Sequence, residues 1–100
     1  MVGTIQEEDM KKYVIERDIP GAGKMTDVDA VAAAQNSNAA LAQLAPTVQW
    51  QHSHVAGDKI FCVYLADGED AIRKHSEISG IPITAIYPVD RMMDPSSALA

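Results

Sequence analysis

The sequence predicts an α+β domain in which two helices lie on one face of a four-stranded antiparallel sheet. Two observations support this fold class. The predicted elements follow the order strand, helix, strand, strand, helix, strand, and this βαββαβ order is the split βαβ pattern of ferredoxin-like folds. The chain has 100 residues, which suffice for one hydrophobic core and are too few for two.

The first strand is predicted at residues 13–18, where aromatic and β-branched residues precede an Ile-Pro-Gly breaker. The acidic sequence at 1–12 has no usable periodicity, and we expect it to form a flexible extension. The single domain is then expected at 13–90, followed by a flexible tail at 91–100.

A capping box marks the start of the longer helix. Thr26 is followed three residues later by Asp29, and Ala-rich sequence continues as far as Pro46. These signals predict a helix over 27–44. Helical periodicity also predicts the face that contacts the sheet. Its residues are Val28, Val31, Ala32, Gln35, Ala39 and Ala42.

Residues 48–65 are predicted to form two strands joined by a tight turn at Gly57-Asp58. If Val55 pairs with Ile60, strict alternation divides this hairpin into two faces, both largely apolar. One face is predicted to hold Trp50, His52, His54, Phe61, Val63 and Leu65. The other is predicted to hold Gln51, Ser53, Val55, Ile60, Cys62 and Tyr64.

A second helix is predicted from the acidic turn at 67–70 to Gly80, with Pro82 just beyond its end. Its buried stripe is predicted to comprise Ala71, Ile72, His75, Ile78 and Ser79. The last strand is predicted at 83–89, and Pro88 places it at a sheet edge because proline lacks a backbone donor. Since both helices cover one face of such a sheet, we expect the other face to pack against a second copy in a homodimer.

Composition argues against several kinds of partner. Eight basic residues against fourteen acidic ones give a net charge of −6, which disfavours binding to nucleic acid or to an anionic membrane. No apolar run approaches the roughly 20 residues of a membrane span, and no secretory signal pattern is present. We therefore expect a cytoplasmic protein, in agreement with the single cysteine.

Four colinear segments carry a resemblance to a known family. They are Tyr13-Val14-Ile15-Glu16-Arg17-Asp18-Ile19-Pro20-Gly21, Val48-x-Trp50-x-x-Ser53-x-Val55, Phe61-Cys62-Val63-Tyr64, and Ala71-Ile72-Arg73-x-His75 through Gly80. Together, over about 13–89, they resemble the small bacterial proteins grouped as domain of unknown function 4242. The resemblance implies a ferredoxin-like fold that is usually dimeric, a nickel-binding protein among the members, and no established enzyme activity.

His52 and His54 are the leading candidates for a metal site. Because they are two residues apart on a strand, both side chains project from the same face about 7 Å apart, a spacing at which two imidazoles can share one ion. A homodimer would supply four such ligands. The alternative is that both residues only pack in the dimer interface beside Trp50.

Glu16, His75 and Cys62 are further candidate ligands. Cys62 and His75 are both expected on the helix side of the sheet, where they are potential ligands for nickel or zinc or a nucleophile and its base. The alternative is a buried thiol and a hydrogen-bonded core histidine. Alternation sends Glu16 and Asp18 to one face and Arg17 to the other.

The leading hypothesis is a cytoplasmic homodimer that binds a divalent transition metal, nickel by the resemblance. No catalytic activity is expected, because the chain lacks a phosphate loop, a dinucleotide fingerprint, a nucleophile elbow and paired metal-binding cysteines. The alternative is a dimeric α/β-barrel protein that binds a small molecule or acts as a small enzyme. Its pocket on the open sheet face would be lined by Trp50, His54, Phe61 and Val63.

Overall fold

The computed structural model describes residues 9–99. Six main elements follow one another in the predicted order, and short 3-10 turns lie at Ala22–Lys24 and Pro95–Leu99. The main elements are β1 (Lys11–Asp18), α1 (Asp27–Leu44), β2 (Val48–Ala56), β3 (Lys59–Ala66), α2 (Glu69–Ser79) and β4 (Ala85–Pro88). The predicted extension at 1–12 falls largely outside the described residues, and β1 begins two residues before the predicted strand.

The strands form one sheet in the order β2-β3-β1-β4, and every pair of neighbours is antiparallel. This is the ferredoxin-like α+β fold, so the predicted fold class is confirmed. β4 lies at an edge, as Pro88 predicted, although it has only four of the seven predicted residues. Within residues 9–99, no helix is both long and apolar enough to cross a membrane.

Helix α1 begins and ends where its capping signals predict. The Thr26 hydroxyl accepts from the Asp29 N–H at 3.1 Å, and the Asp29 carboxylate accepts from the Thr26 N–H at 3.1 Å. This reciprocal capping box satisfies two helix-terminal donors. At the other end, Pro46 cannot extend the helix, so the predicted range 27–44 is confirmed.

The predicted contact face of α1 is wrong. Val28 is 78% exposed and Val31 is 56% exposed, whereas Ser37 and Ala40 are buried. Because alanines occur on every side of this helix, the spacing of its apolar residues does not identify one contact face. The helix packs on the sheet through its second half, and residues 27–36 include no buried side chain. Its first half therefore stands away from the sheet.

The hairpin has the predicted register near its turn, where Val55 pairs with Ile60. A β-bulge further along β2 changes the alternation, because Trp50 pairs with Tyr64 while His52 pairs with Val63, which leaves Gln51 as the extra residue. Trp50 therefore lies on the helix side of the sheet. This corrects the prediction that Trp50 shares a face with the two histidines.

The tip of the hairpin is tied to the segment between β1 and α1. Gly57 has a left-handed φ of 59°, and its carbonyl accepts from the Gly23 N–H at 2.6 Å. A Cβ atom at Gly23 would lie only 2.9 Å from that carbonyl oxygen, so the approach requires glycine. Asp58 accepts from the Ile19 N–H through its backbone and from the Gly21 N–H through its side chain. These contacts place the loop beside the hairpin.

The hydrophobic core lies between the sheet and the two helices. Its buried members are Tyr13, Ile15, Val48, Cys62, Tyr64, Ala66 and Ile72. Leu41 and Leu44 from α1 pack against this cluster. Two residues with polar side chains, Arg17 and His75, are also fully buried on the helix side of the sheet.

Two matched substitutions test the observed packing. Val48 is 2% exposed, so Val48→Ala is expected to lower the free energy of unfolding by about 1.5–3 kcal/mol through lost apolar burial. Val28→Ala on the exposed face of α1 is expected to change it by less than about 0.5 kcal/mol. Urea unfolding followed by circular dichroism measures both; a larger loss in Val28→Ala would contradict the observed helix orientation.

Candidate functional site

Of the two faces of the sheet, one is covered by α1 and α2; the other carries no α-helix from residues 9–99, and we call it the open face. Residues paired directly across antiparallel strands share a face, so two rows can be followed across it. One row runs His54, Phe61, Glu16, Ala85, and the other runs His52, Val63, Val14, Tyr87. The open face thus combines two histidines at one edge with an apolar centre.

His52 and His54 lie on the same face of β2, as their spacing predicts, and both are exposed. Their ring centroids are 5.1 Å apart, with the planes inclined at 74°. Two imidazoles bound to one ion through nitrogens at about 2.1 Å have centroids about 4.5–5.2 Å apart, depending on the angle at the metal. The separation of this pair therefore suits a shared ion.

A single chain supplies only part of a coordination shell at this pair. Among residues 9–99, no group of three or more His, Cys, Asp or Glu side chains is placed to hold a metal ion. Structural zinc sites take four ligands, and sites with fewer protein ligands keep water in the open positions. Water or a second chain would have to complete the shell.

Glu16 lies on the open face, but it does not reach the histidines. Phe61 stands between Glu16 and His54 in their row. One Glu16 oxygen accepts from the Lys59 ammonium at 2.8 Å and the other from the Tyr87 hydroxyl at 3.1 Å. These two hydrogen bonds, first that from Lys59, hold the pKa of Glu16 below its usual value. Its carboxylate is thus already engaged in a polar network.

Arg17 lies on the face opposite Glu16, as alternation predicts; this is the helix side, where Arg17 is only 1% exposed. Its Nη1 donates to the Ser76 hydroxyl at 3.1 Å and to the carbonyls of Ile81 and Pro82 at 3.2 and 3.0 Å. Its Nη2 makes a longer contact of 3.4 Å with the Tyr64 hydroxyl. Sequence reasoning missed this burial, because arginine near a strand end is ordinarily exposed.

His75 is fully buried beneath α1, on the predicted stripe of α2. Its Nε2 lies 3.2 Å from the Ser37 hydroxyl, and its ring centroid is 5.5 Å from that of Tyr64. Burial, and then the positive charge of Arg17, lower the pKa of His75. Its Nδ1 has no hydrogen-bond partner in the described part of the chain.

Cys62 is a buried free thiol on the same side as His75. No hydrogen bond joins the two side chains within residues 9–99, and His75 is bonded to Ser37 instead. The five candidate ligands therefore divide into two sets on opposite faces of the sheet. His52, His54 and Glu16 lie on the open face, and Cys62 and His75 lie in the core.

A cavity of about 200 Å³ lies between the first half of α1 and the hairpin. Its walls include Trp50, Val55 and Ile60 from the hairpin and Ala30, Ala33 and Ala34 from α1. Of the four residues predicted to line a pocket, Trp50 lines this cavity. The other three, His54, Phe61 and Val63, lie on the open face, because the bulge separates them from Trp50.

The buried imidazole has a testable effect on stability. Because the pKa of His75 is lowered on folding from 6.5, its contribution to stability is present above pH 6.5 and is lost as pH falls through the folded-state pKa. We expect the free energy of unfolding of the unaltered protein to fall between pH 7.5 and 5.5, and that of His75→Phe to fall less. Urea titrations at both pH values measure the free energy of unfolding of each protein. An equal fall in the two proteins would contradict this role of His75.

The chain is similar to a known protein family and to a solved structure. A family model described as "Nickel responsive protein SCO4226-like" matches residues 13–89. This description does not mention domain of unknown function 4242, so the resemblance to that family stays a prediction. The crystal structure of SCO4226 from Streptomyces coelicolor A3(2) matches with a TM-score of 0.68 and 17% identity, covering 82% of this chain and 99% of that one. At this identity the match shows the fold. None of the curated proteins matches.

Proposed function

This chain belongs to the SCO4226-like family of nickel-responsive proteins, and on that basis we propose that it binds a nickel ion through His52 and His54. The observation that carries the proposal is the exposed pair of imidazoles with centroids 5.1 Å apart. The protein is then a cytoplasmic binding module, in which metal occupancy rather than catalysis is the functional event.

The chemistry of the pair suits this metal. Neutral imidazole is a good ligand for divalent nickel, and both rings are exposed, so an ion can reach them without rearrangement of the fold. The net charge of −6 favours the approach of a cation. Cys62 and His75, by contrast, are buried and would require the core to open.

A homodimer packed through the open face would complete the site. Facing sheets lie about 10 Å apart, a gap that imidazoles from both sheets can span. A twofold axis that runs across the strands places β2 over the β2 of the second copy, and four histidines then surround one ion. The half-buried Phe61, Val63 and Leu65 supply apolar area for such an interface.

Calorimetric titration of chelator-treated protein with nickel tests this proposal. We expect saturable heat in the unaltered protein and none in the His52→Ala/His54→Ala variant, because both imidazoles of the proposed site are removed. His75→Phe serves as the matched control and is expected to keep nickel affinity within about threefold, since His75 lies on the other side of the sheet. Saturable heat that persists in the double variant would rule out the histidine pair.

A second variant separates the metal ligands from the dimer. Val63→Lys places a charge at the centre of the open face without removing a histidine. We expect it to be monomeric in sedimentation experiments and to bind nickel more weakly, while Val31→Lys on the exposed face of α1 stays dimeric. If both variants remain dimeric, the open face is not the interface.

A further inference from the structure

The cavity beneath α1 has a feature that packing alone does not require. It is lined largely by apolar side chains, yet the buried Arg17 also lines it. Burying a guanidinium is costly unless an anion or a full set of hydrogen bonds compensates the charge. A charged group at the wall of an apolar cavity is typical of a site that binds a ligand of opposite charge.

Arg17 has no carboxylate partner among residues 9–99, where the ion pairs join other groups. Its acceptors are two hydroxyls and two carbonyls, all uncharged. Three of the four serve Nη1, whereas Nη2 makes only the 3.4 Å contact with Tyr64. A guanidinium has five N–H donors, so donors remain for an added anion.

The rest of the cavity defines the body of the ligand. Trp50, Val55 and Ile60 form an apolar floor, and the alanines of α1 form the opposite wall because no large side chain occupies positions 30, 33 and 34. A volume near 200 Å³ is below the range of about 300–1,000 Å³ found for drug-sized ligands and accommodates about eight to twelve non-hydrogen atoms.

The cavity is accessible from solvent. Ala30 and Ala33 are exposed, and Val55 is 43% exposed, so its rim lies at the surface while Arg17 lies at its inner end. We infer that the cavity binds a small monocarboxylate with an apolar body, whose carboxylate pairs with Arg17 and whose body lies against Trp50. This site is on the opposite face of the sheet from the histidine pair and does not depend on nickel binding.

The single tryptophan makes the test direct, because Trp50 lines this cavity and no other tryptophan contributes to the emission. Titration with hexanoate at pH 7.5 is expected to change the emission saturably. Hexanamide, which has the same shape without the charge, is expected to bind at least about tenfold more weakly, since a charge-assisted hydrogen bond is lost. Equal affinity for the two probes, or no saturable change with hexanoate, would overturn the inference.

Two variants assign the roles of charge and space. Arg17→Met is expected to abolish the preference for hexanoate over hexanamide. Ala34→Leu fills the cavity and leaves Arg17 unsubstituted. It is expected to weaken the binding of both probes at least about tenfold, and it keeps the test valid if Arg17→Met does not fold. The His52→Ala/His54→Ala variant should bind hexanoate unchanged. Hexanoate affinity unaffected by Ala34→Leu, or lost in the histidine variant, would contradict the assignment.

Discussion

The pairing of β1 with β3, the two central strands, decides which face of the sheet each of their side chains meets. The two strands pair without a break from Lys11–Ala66 to Asp18–Lys59, so alternation is strict along both. Arg17 is thereby directed into the helix layer and Glu16 to the open face. A one-residue slip of this register would exchange the two faces and bury a carboxylate instead of a guanidinium. The core and both candidate sites depend on this constraint.

The bulge in β2 is the one place in that strand where alternation is interrupted, and it separates two potential functions. Without the extra residue Gln51, Trp50 would join His52 and His54 on the open face. With it, the indole turns to the helix side, where its N–H donates to Ser53 at 2.9 Å and its ring lines the cavity. A metal site and a small-molecule site can therefore occupy one hairpin without contact between them.

Local chemistry made much of the fold predictable. The capping box at Thr26, the Gly57 turn and the edge proline Pro88 each act within a few residues, and each appears in the structure as predicted. The contact face of α1, the bulge and the burial of Arg17 were not predictable, because tertiary packing decides them. The same division holds for the sites: the histidine pair follows from spacing on one strand, whereas the cavity arises because the first half of α1 stands away from the sheet.

The central proposal is that the metal binds on the open face and not at the buried Cys62 and His75. Diffraction from crystals of the nickel-loaded protein, recorded at the nickel absorption edge, tests this claim most directly. We predict an anomalous peak about 2.1 Å from ring nitrogens of both His52 and His54, with the same two residues of a second copy completing the coordination shell. A peak beside Cys62 and His75, or the absence of a peak at the hairpin, would contradict it.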